Sequence, residues 1–555
     1  MTPSFPRATP GASSARGAWA AVILAAWLSG CGGSPGTTVP DLSQKHPGLV
    51  LGQDSVVCSA DPGISVAAGV SCEVTLQAQP PADYSQNGLD WAERPAGGSK
   101  VIEDVDRSIQ PDGSWRLTVT FKTDQPAGTH TGTIEMVPSD LIAEFVPARL
   151  TYSFTMSGLD GTLSPLKPLS GGRDWATFGA NAAHTGAVAV TLAAANFSRR
   201  WTRGDEQTGI LSSVVTSQGR VYAGAQPTGT GTIHRVWSFN ESDGTVAWSF
   251  GDETWFDPPA TGSGRIYLSN SEVLAALDAS TGALQYRRQH PAQPYPPVVS
   301  GMLAPTPHDT EVYAGNGADG ELVRHDAATG VVAWSVDLRD TFEDPHTLNW
   351  TPAVTGDLVL TSVLGVFNAF DRTDGSKRFS VPVPGDTSGS ILTMHLANHA
   401  PVVVDSDSVL LLDRRTGDGS PIANTLTMID LSEHDVRWSA TGQFTTPPVS
   451  GHGVVYAGNH ATQRLEARDA ATGETLWTWQ AGAGEELTYK DLLLTDNLLF
   501  VSAGNTTYAI DLASRQAVWS YRAAGTLALS SNGVLYIVTV SDGLASNRLI
   551  AINLH

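Results

Sequence analysis

Over the C-terminal two thirds of the chain, apolar and polar residues alternate in short runs that break at a turn and resume with a period of roughly 40 residues. The clearest run reads Leu465, Ala467, Asp469, Ala470, Ala471, Thr472, Gly473, Glu474, Thr475, Leu476, Trp477. Period-two spacing on both sides of a Thr-Gly pair predicts two antiparallel strands joined by a tight turn. Copies align on an acid or amide at Asn240, Asp278, Asp326, Asp371, Asp430, Asp469, Asp511 and Asn553. An aromatic follows eight positions later at Trp248, Tyr286, Trp334, Phe379, Trp438, Trp477 and Trp519. A glycine four positions after the acid, in Gly244, Gly282, Gly330, Gly375 and Gly473, supplies the positive φ of such a turn. His434 and Arg515 hold that place in two copies, which predicts a different turn there.

Four residues before the acid stand Val236, Leu274, Leu322, Phe367, Leu426, Leu465 and Leu549; two before it stand small residues such as Ala276, Ala369, Ala467, Ala509 and Ala551, which suit close approach of neighbouring sheets. A further strand precedes each hairpin, as in Val221–Gly224, Val312–Gly315 and Val455–Gly458. Pro259, Pro297, Pro352 and Pro448 stand just ahead of such strands, where a missing donor costs least. Aromatic four-stranded units at this period predict radially stacked sheets. The eighth copy stops two residues after Asn553, while an aromatic strand without a hairpin lies around Phe197 to Trp201. That early strand is expected to complete the last sheet and close the ring, leaving no open edge. The predicted fold class is therefore all-β: an eight-bladed β-propeller preceded by a small immunoglobulin-like β-sandwich.

From about Gly171 to His555 the pattern resembles the quinoprotein-like (PQQ-repeat) β-propellers. The resemblance rests on the alanine, aspartate, Thr-Gly and tryptophan phrase, together with Trp175, Phe178, Asn181, His184 and Gly186 ahead of it. It implies a fold that hosts both dehydrogenases and non-enzymatic scaffolds. In the relatives that bind pyrroloquinoline quinone, two adjacent cysteines form a ring against the cofactor, and a Glu, Asn and Asp set holds calcium. All three cysteines of this chain, Cys31, Cys58 and Cys72, precede the propeller, so that cysteine pair is missing. No Cys-x-x-Cys-His haem attachment occurs. The recurring acids read as turn residues rather than calcium ligands, since a metal site needs a unique cluster. His395 and His399 are four apart, as zinc ligands on one helix face would be. They lack an adjacent Glu and precede the strand Pro401–Val404, so they read as a loop pair.

The N-terminal part is organised differently. Arg7 and Arg16 precede an apolar stretch from Ala18 to Leu28 and then Ser29, Gly30 and Cys31. This is a secretory signal too short for a membrane span, and residues 28–31 match the bacterial lipobox, in which Cys31 is lipidated. Each buried acyl methylene contributes about 0.8 kcal/mol, so two or three chains anchor firmly. Gly32 replaces the Asp of an inner-membrane retention signal, which favours an outer-membrane address. Expected domains are a lipoprotein signal at 1–30, a flexible tether at 31–48, the immunoglobulin-like sandwich at 49–157, a linker at 158–172 and the propeller at 173–555. Cys58 and Cys72 lie in the sandwich and are expected to form a disulfide in an oxidising compartment.

Beyond the signal, 55 acids face 31 bases, a balance of −24 that disfavours nucleic acid and anionic headgroups as partners. No catalytic, cofactor-binding or metal-binding residue stands out. The favoured reading is a non-enzymatic, lipid-anchored envelope protein whose propeller is a scaffold for a protein partner, with the membrane held through Cys31 and no cofactor. This plan resembles the lipoproteins of the outer-membrane protein assembly machinery, from which the extra sandwich departs. The alternatives are a PQQ-dependent dehydrogenase and a surface carbohydrate-binding or adhesion module.

Overall fold

The computed structural model describes residues 45–60, 72–97, 100–122, 128–139, 144–156, 158, 160–204, 208–227, 233–252, 258–270, 272–291, 304–316, 321–338, 351–363, 366–383, 400–414, 424–481, 489–539 and 547–555. Among them the chain is all-β, and the helical elements are two single 3-10 turns, Ala82–Tyr84 and Ala194–Asn196. Pro297, His395 and His399 lie outside the described residues, as does Cys31.

Eight strands come first: β1 Val50–Leu51, β2 Ser55–Ala60, β3 Cys72–Gln79, β4 Gly88–Pro95, β5 Ile102–Ile109, β6 Trp115–Phe121, β7 Gly128–Ser139 and β8 Ala148–Met156. They form two four-stranded sheets, ordered β1-β3-β6-β5 and β2-β8-β7-β4, with β2 and β8 the parallel pair. Alternation sets the core: Trp115, Leu117, Val119 and Phe121 of β6 meet Leu150, Tyr152, Phe154 and Met156 of β8, all buried. The Phe121 and Phe154 rings stack at 5.0 Å between the sheets. Each such side chain contributes about 1.5–3 kcal/mol by burial. The buried acid Glu93 accepts hydrogen bonds from the Val101 and Ile102 amides and from the Tyr152 hydroxyl at 2.7 Å, so its charge is fully partnered. Pairing already begins at His46, which bridges to Phe145.

Then the period of the sequence becomes a ring. Eight four-stranded antiparallel sheets occupy 210–252, 260–289, 306–337, 353–382, 402–442, 449–479, 489–521 and 525–553, the last completed by β9, Ser198–Arg203. We number them blades 1 to 8. In each, the first strand packs against the first strand of the next blade, and Gly525–Leu529 of blade 8 packs against Ile210–Ser217 of blade 1. The closing strand pairs Leu549 with Arg203, Ile550 with Thr202 and Ala551 with Trp201. A register shift just after the residue two before the acid recurs between third and fourth strands in all eight blades, between Ala276 and Leu277, Ala467 and Arg468, and Ala551 and Ile552 among them. The composite blade therefore repeats the bulge of the continuous ones, which is what makes β9 a true fourth strand.

Candidate functional site

The repeat phrase is used up in holding the ring. Asp278 Oδ1 accepts hydrogen bonds from the amides and hydroxyls of Ser280 and Thr281, and these hold its carboxyl down at about 2. Asp326 and Asp469 serve their own turns in the same way. The following glycine donates its amide to the acid's carbonyl, as Gly473 does to Asp469 at 2.8 Å. His434 and Arg515 correct one expectation: their φ of 56° and 59° is that of the glycines, and Arg515 makes the same bond to Asp511. The turn is thus retained without glycine. The reason lies in the preceding blade, where Phe379 stacks on His434 at 3.9 Å and Trp477 lies under the Arg515 guanidinium.

Five of the aromatics donate a hydrogen bond across to the next blade. Trp201, Trp248, Trp334 and Trp438 donate Nε1–H to the carbonyls of Glu241, Ala279, Arg372 and Ala470, at 2.9–3.1 Å, and the Tyr286 hydroxyl donates to Ala327. Every acceptor is the residue directly after a repeat acid. The rings therefore dock blade to blade rather than lining a ligand site.

What occupies the axis is residues 169–192, the segment that carries Trp175, Phe178, Asn181, His184 and Gly186. It hydrogen-bonds to every blade in turn. Leu169 and Asp174 bond Ser531 of blade 8, Trp175 and Thr216 of blade 1 exchange backbone and hydroxyl bonds, and Ala176 accepts from Thr261 of blade 2. Thr177 donates to Pro305 ahead of blade 3; Ala182, Ala183 and Thr185 accept from Val354, Val403 and Ser450 of blades 4, 5 and 6; Gly186 and Val188 pair with Leu494 of blade 7. The contacts fall toward the ends where first strands turn into second strands. One end of the central channel is thus filled by the chain itself. Second-to-third and fourth-to-first connections leave from the opposite end.

His184 is the staple of this hub. It is buried, with Nδ1–H donating to the Pro401 carbonyl at 3.2 Å and Nε2 lying 3.4 Å from Thr306 Oγ1, whose one proton goes either to Nε2 or to the Pro352 carbonyl at 2.7 Å. One imidazole so links the first strands of blades 3, 4 and 5. Burial pushes its pKa down to about 4, so it sits there neutral. Asp491, half-buried on the first strand of blade 7, accepts from its own neighbour Leu492 and from Leu527 of blade 8, and burial pushes it up to about 7. Neither role is visible in the repeat phrase.

At the seam, Arg200 of β9 is buried and donates to the carbonyls of Glu241 and Ser242 and to Asn553 Oδ1. The linker covers the outer edge of the same strand, with Gly161 and Thr162 amides bonding Arg200 and Arg199 carbonyls and Asp160 paired to Arg203 at 2.7 Å. In the sandwich, Cys58 of β2 is disulfide-bonded, and Cys72 opens β3. Among the described residues no group of three or more His, Cys, Asp and Glu is placed to hold a metal ion, and no helix is long and apolar enough to cross a membrane.

Comparison with known proteins decides the family. The model described as outer membrane protein assembly factor BamB matches residues 159–418, 234–479 and 438–555. The chain belongs to this family of PQQ-repeat propellers. No curated protein matches the sequence. Among solved structures, the europium-containing methanol dehydrogenase shares the fold at 12% identity and a TM-score of 0.50, over 69% of this chain and 98% of its own. BamB from Moraxella catarrhalis aligns at 15% identity and a TM-score of 0.46, over 64% of this chain and 99% of its own. Quinohemoprotein alcohol dehydrogenase ADHIIG from Pseudomonas putida aligns at 12% identity and 0.49, over 69% and 80%.

Proposed function

We propose that this chain is a non-enzymatic, lipid-anchored protein of the bacterial cell envelope, whose propeller is a scaffold for a protein partner in outer-membrane protein assembly. The observation that carries the reading is the family match, which runs from residue 159 to the C-terminus and is described by that assembly role. The hub supports it, because a channel end filled by residues 169–192 leaves the opposite, loop-bearing end as the platform. We further propose that residues 1–30 are removed, that Cys31 is acylated and holds the chain at the outer membrane, and that 31–48 tether it. In this reading the sandwich is immunoglobulin-like, which its strand order supports: β1-β3-β6-β5 and β2-β8-β7-β4 correspond to the A-B-E-D and G-F-C order with A split between the sheets. Cys72 is the proposed partner of Cys58, each paired in its sheet opposite one ring of the Phe121–Phe154 stack.

A quinone-dependent dehydrogenase is the second reading, and the likeness to methanol dehydrogenase shows the fold alone. Titration of the purified protein with pyrroloquinoline quinone and calcium separates the two. The scaffold reading expects no stoichiometric quinone and no dye reduction with alcohols or sugars; either would overturn it. Labelling cells with a radioactive fatty acid tests the anchor: label is expected in the wild type and absent in Cys31→Ser, and equal label in both would exclude Cys31.

A further inference from the structure

The sandwich joins the rest of the chain at two opposite poles. Its last strand, β8, runs nine residues from Ala148 to Met156, about 30 Å, with Leu150, Tyr152, Phe154 and Met156 locked into the core. Past Met156 the chain is bonded to the closing strand of the ring almost at once, the Gly158 carbonyl accepting from Arg199 at 2.9 Å and Asp160 bridging Trp201. At the other end of β8, the His46 amide donates to the Glu144 carbonyl at 2.7 Å and the Val146 amide to the His46 carbonyl at 3.0 Å. The N-terminal segment therefore enters at the pole opposite the one that leads to the propeller.

That entry pole carries apolar and aromatic surface. Val50 and Val146 are 69% and 52% exposed. Beside them the rings of His46, Tyr84 and Phe145 cluster, Tyr84 edge-on to Phe145 at 4.8 Å and His46 5.8 Å from each. Lys45 and Glu144 flank the cluster and pair with each other at 4.0 Å, so this pair offers no net charge. Exposed apolar residues of the propeller, such as Val246, Leu284 and Val331, stand one to a blade, which is ordinary. Apolar side chains grouped with rings that have a polar tip suit the boundary between lipid and water.

We propose that this pole, with His46, Val50, Tyr84 and Val146 at its centre, rests on the zwitterionic lipid surface of the membrane, and that the sandwich is thereby a strut between lipid and propeller. The proposal builds on the acylation of Cys31 put forward above. What chooses lipid as the occupant is the place where the tether arrives. Fifteen residues separate Cys31 from His46, at most about 50 Å of fully extended chain, so the anchor keeps this pole beside the bilayer. A tether that short gives an effective concentration on the order of millimolar, so a contact too weak to bind the free chain is occupied in the anchored one. Charge chooses the kind of lipid: 55 acids against 31 bases repel an anionic surface and leave a zwitterionic one.

The test captures residues 31–555, carrying Cys31→Ser and a polyhistidine tag ahead of residue 31, on phosphatidylcholine vesicles that contain a nickel-chelating lipid, so that the chain is tethered whether or not cells acylate Cys31. An environment-sensitive fluorophore is placed at Val146→Cys or, for comparison, at Val331→Cys in blade 3. The expected result is a blue-shifted, brighter emission at 146 on capture, no change at 331, and a smaller shift at 146 when Val50→Asp is added. Emission at 146 that stays as it is in water, or equal shifts at 146 and 331, would overturn the proposal. The fatty-acid labelling above reads the anchor separately: a shift at 146 with an unlabelled Cys31 would keep the lipid-binding pole and remove the anchor, while no shift with a labelled Cys31 would remove the pole and keep the anchor.

Discussion

A glycine four residues after a repeat acid meets two demands at once, a positive φ and a ring lying against it. At Gly473, φ is +75° and an added Cβ would lie 2.6 Å from Trp438 Cδ2. Gly453, in the same blade, has φ +73° with nothing within 4 Å. Both Gly→Ala changes incur the left-handed backbone cost of about 1–2 kcal/mol. Gly473→Ala is expected to cost about 1–2 kcal/mol more, because the docked ring must shift. Denaturant midpoints of the two variants check this, and equal losses would remove the ring from the explanation. His184 gives a pH prediction. Its folded pKa of about 4 lies below the ordinary 6.5, so the unfolded chain binds more protons between those values. Stability from this group is full above pH 6.5 and falls as pH drops toward 4, by about 3 kcal/mol in total. His184→Asn, which tolerates the φ of 56°, is expected to flatten that part of the pH profile; an unchanged slope relative to wild type would assign the acid sensitivity elsewhere.

Among the elements, the closing strand β9 is the one on which the ring depends. Arg200→Met is expected to lower stability by about 1–3 kcal/mol by leaving the buried Asn553 Oδ1 without its guanidinium donor and removing the bonds to the Ser242 and Glu241 carbonyls, the latter still held by Trp201 Nε1. Limited proteolysis at low denaturant should then open the chain first near 198–203; cleavage first in another blade would mean the seam is not the weak joint. The composite blade is legible in the sequence because the eighth hairpin ends at Asn553 and an unpaired aromatic strand waits near Trp201. The turns are legible too, since Asp469 and Gly473 bond within a few residues. What holds the seam and the hub is not. Arg200 meets Asn553 353 positions away and His184 meets Pro401 217 positions away, so no local spacing announces them. The turn at His434 and Arg515 is missed for a related reason: the ring that supports each non-glycine residue belongs to the preceding blade.

On the scale of the whole molecule, the sequence period specifies a closed ring, and the structure adds that the ring is filled along its axis from one end. The acids and aromatics that give the family its signature are bound to turns and neighbouring blades, so they leave the chemistry of the platform to the connections at the other end. Under the proposed scaffold function the protein acts by holding a partner, at the membrane to which the proposed acylation of Cys31 would tie it. The direct test is affinity purification of the full, acylated chain from detergent-solubilised envelope, with quantitative mass spectrometry of what stays bound. The account predicts near-stoichiometric recovery of an outer-membrane assembly protein, lost when the second-to-third strand loops are replaced by short turns. Recovery of the chain alone, or of a bound quinone in place of a protein, would contradict it.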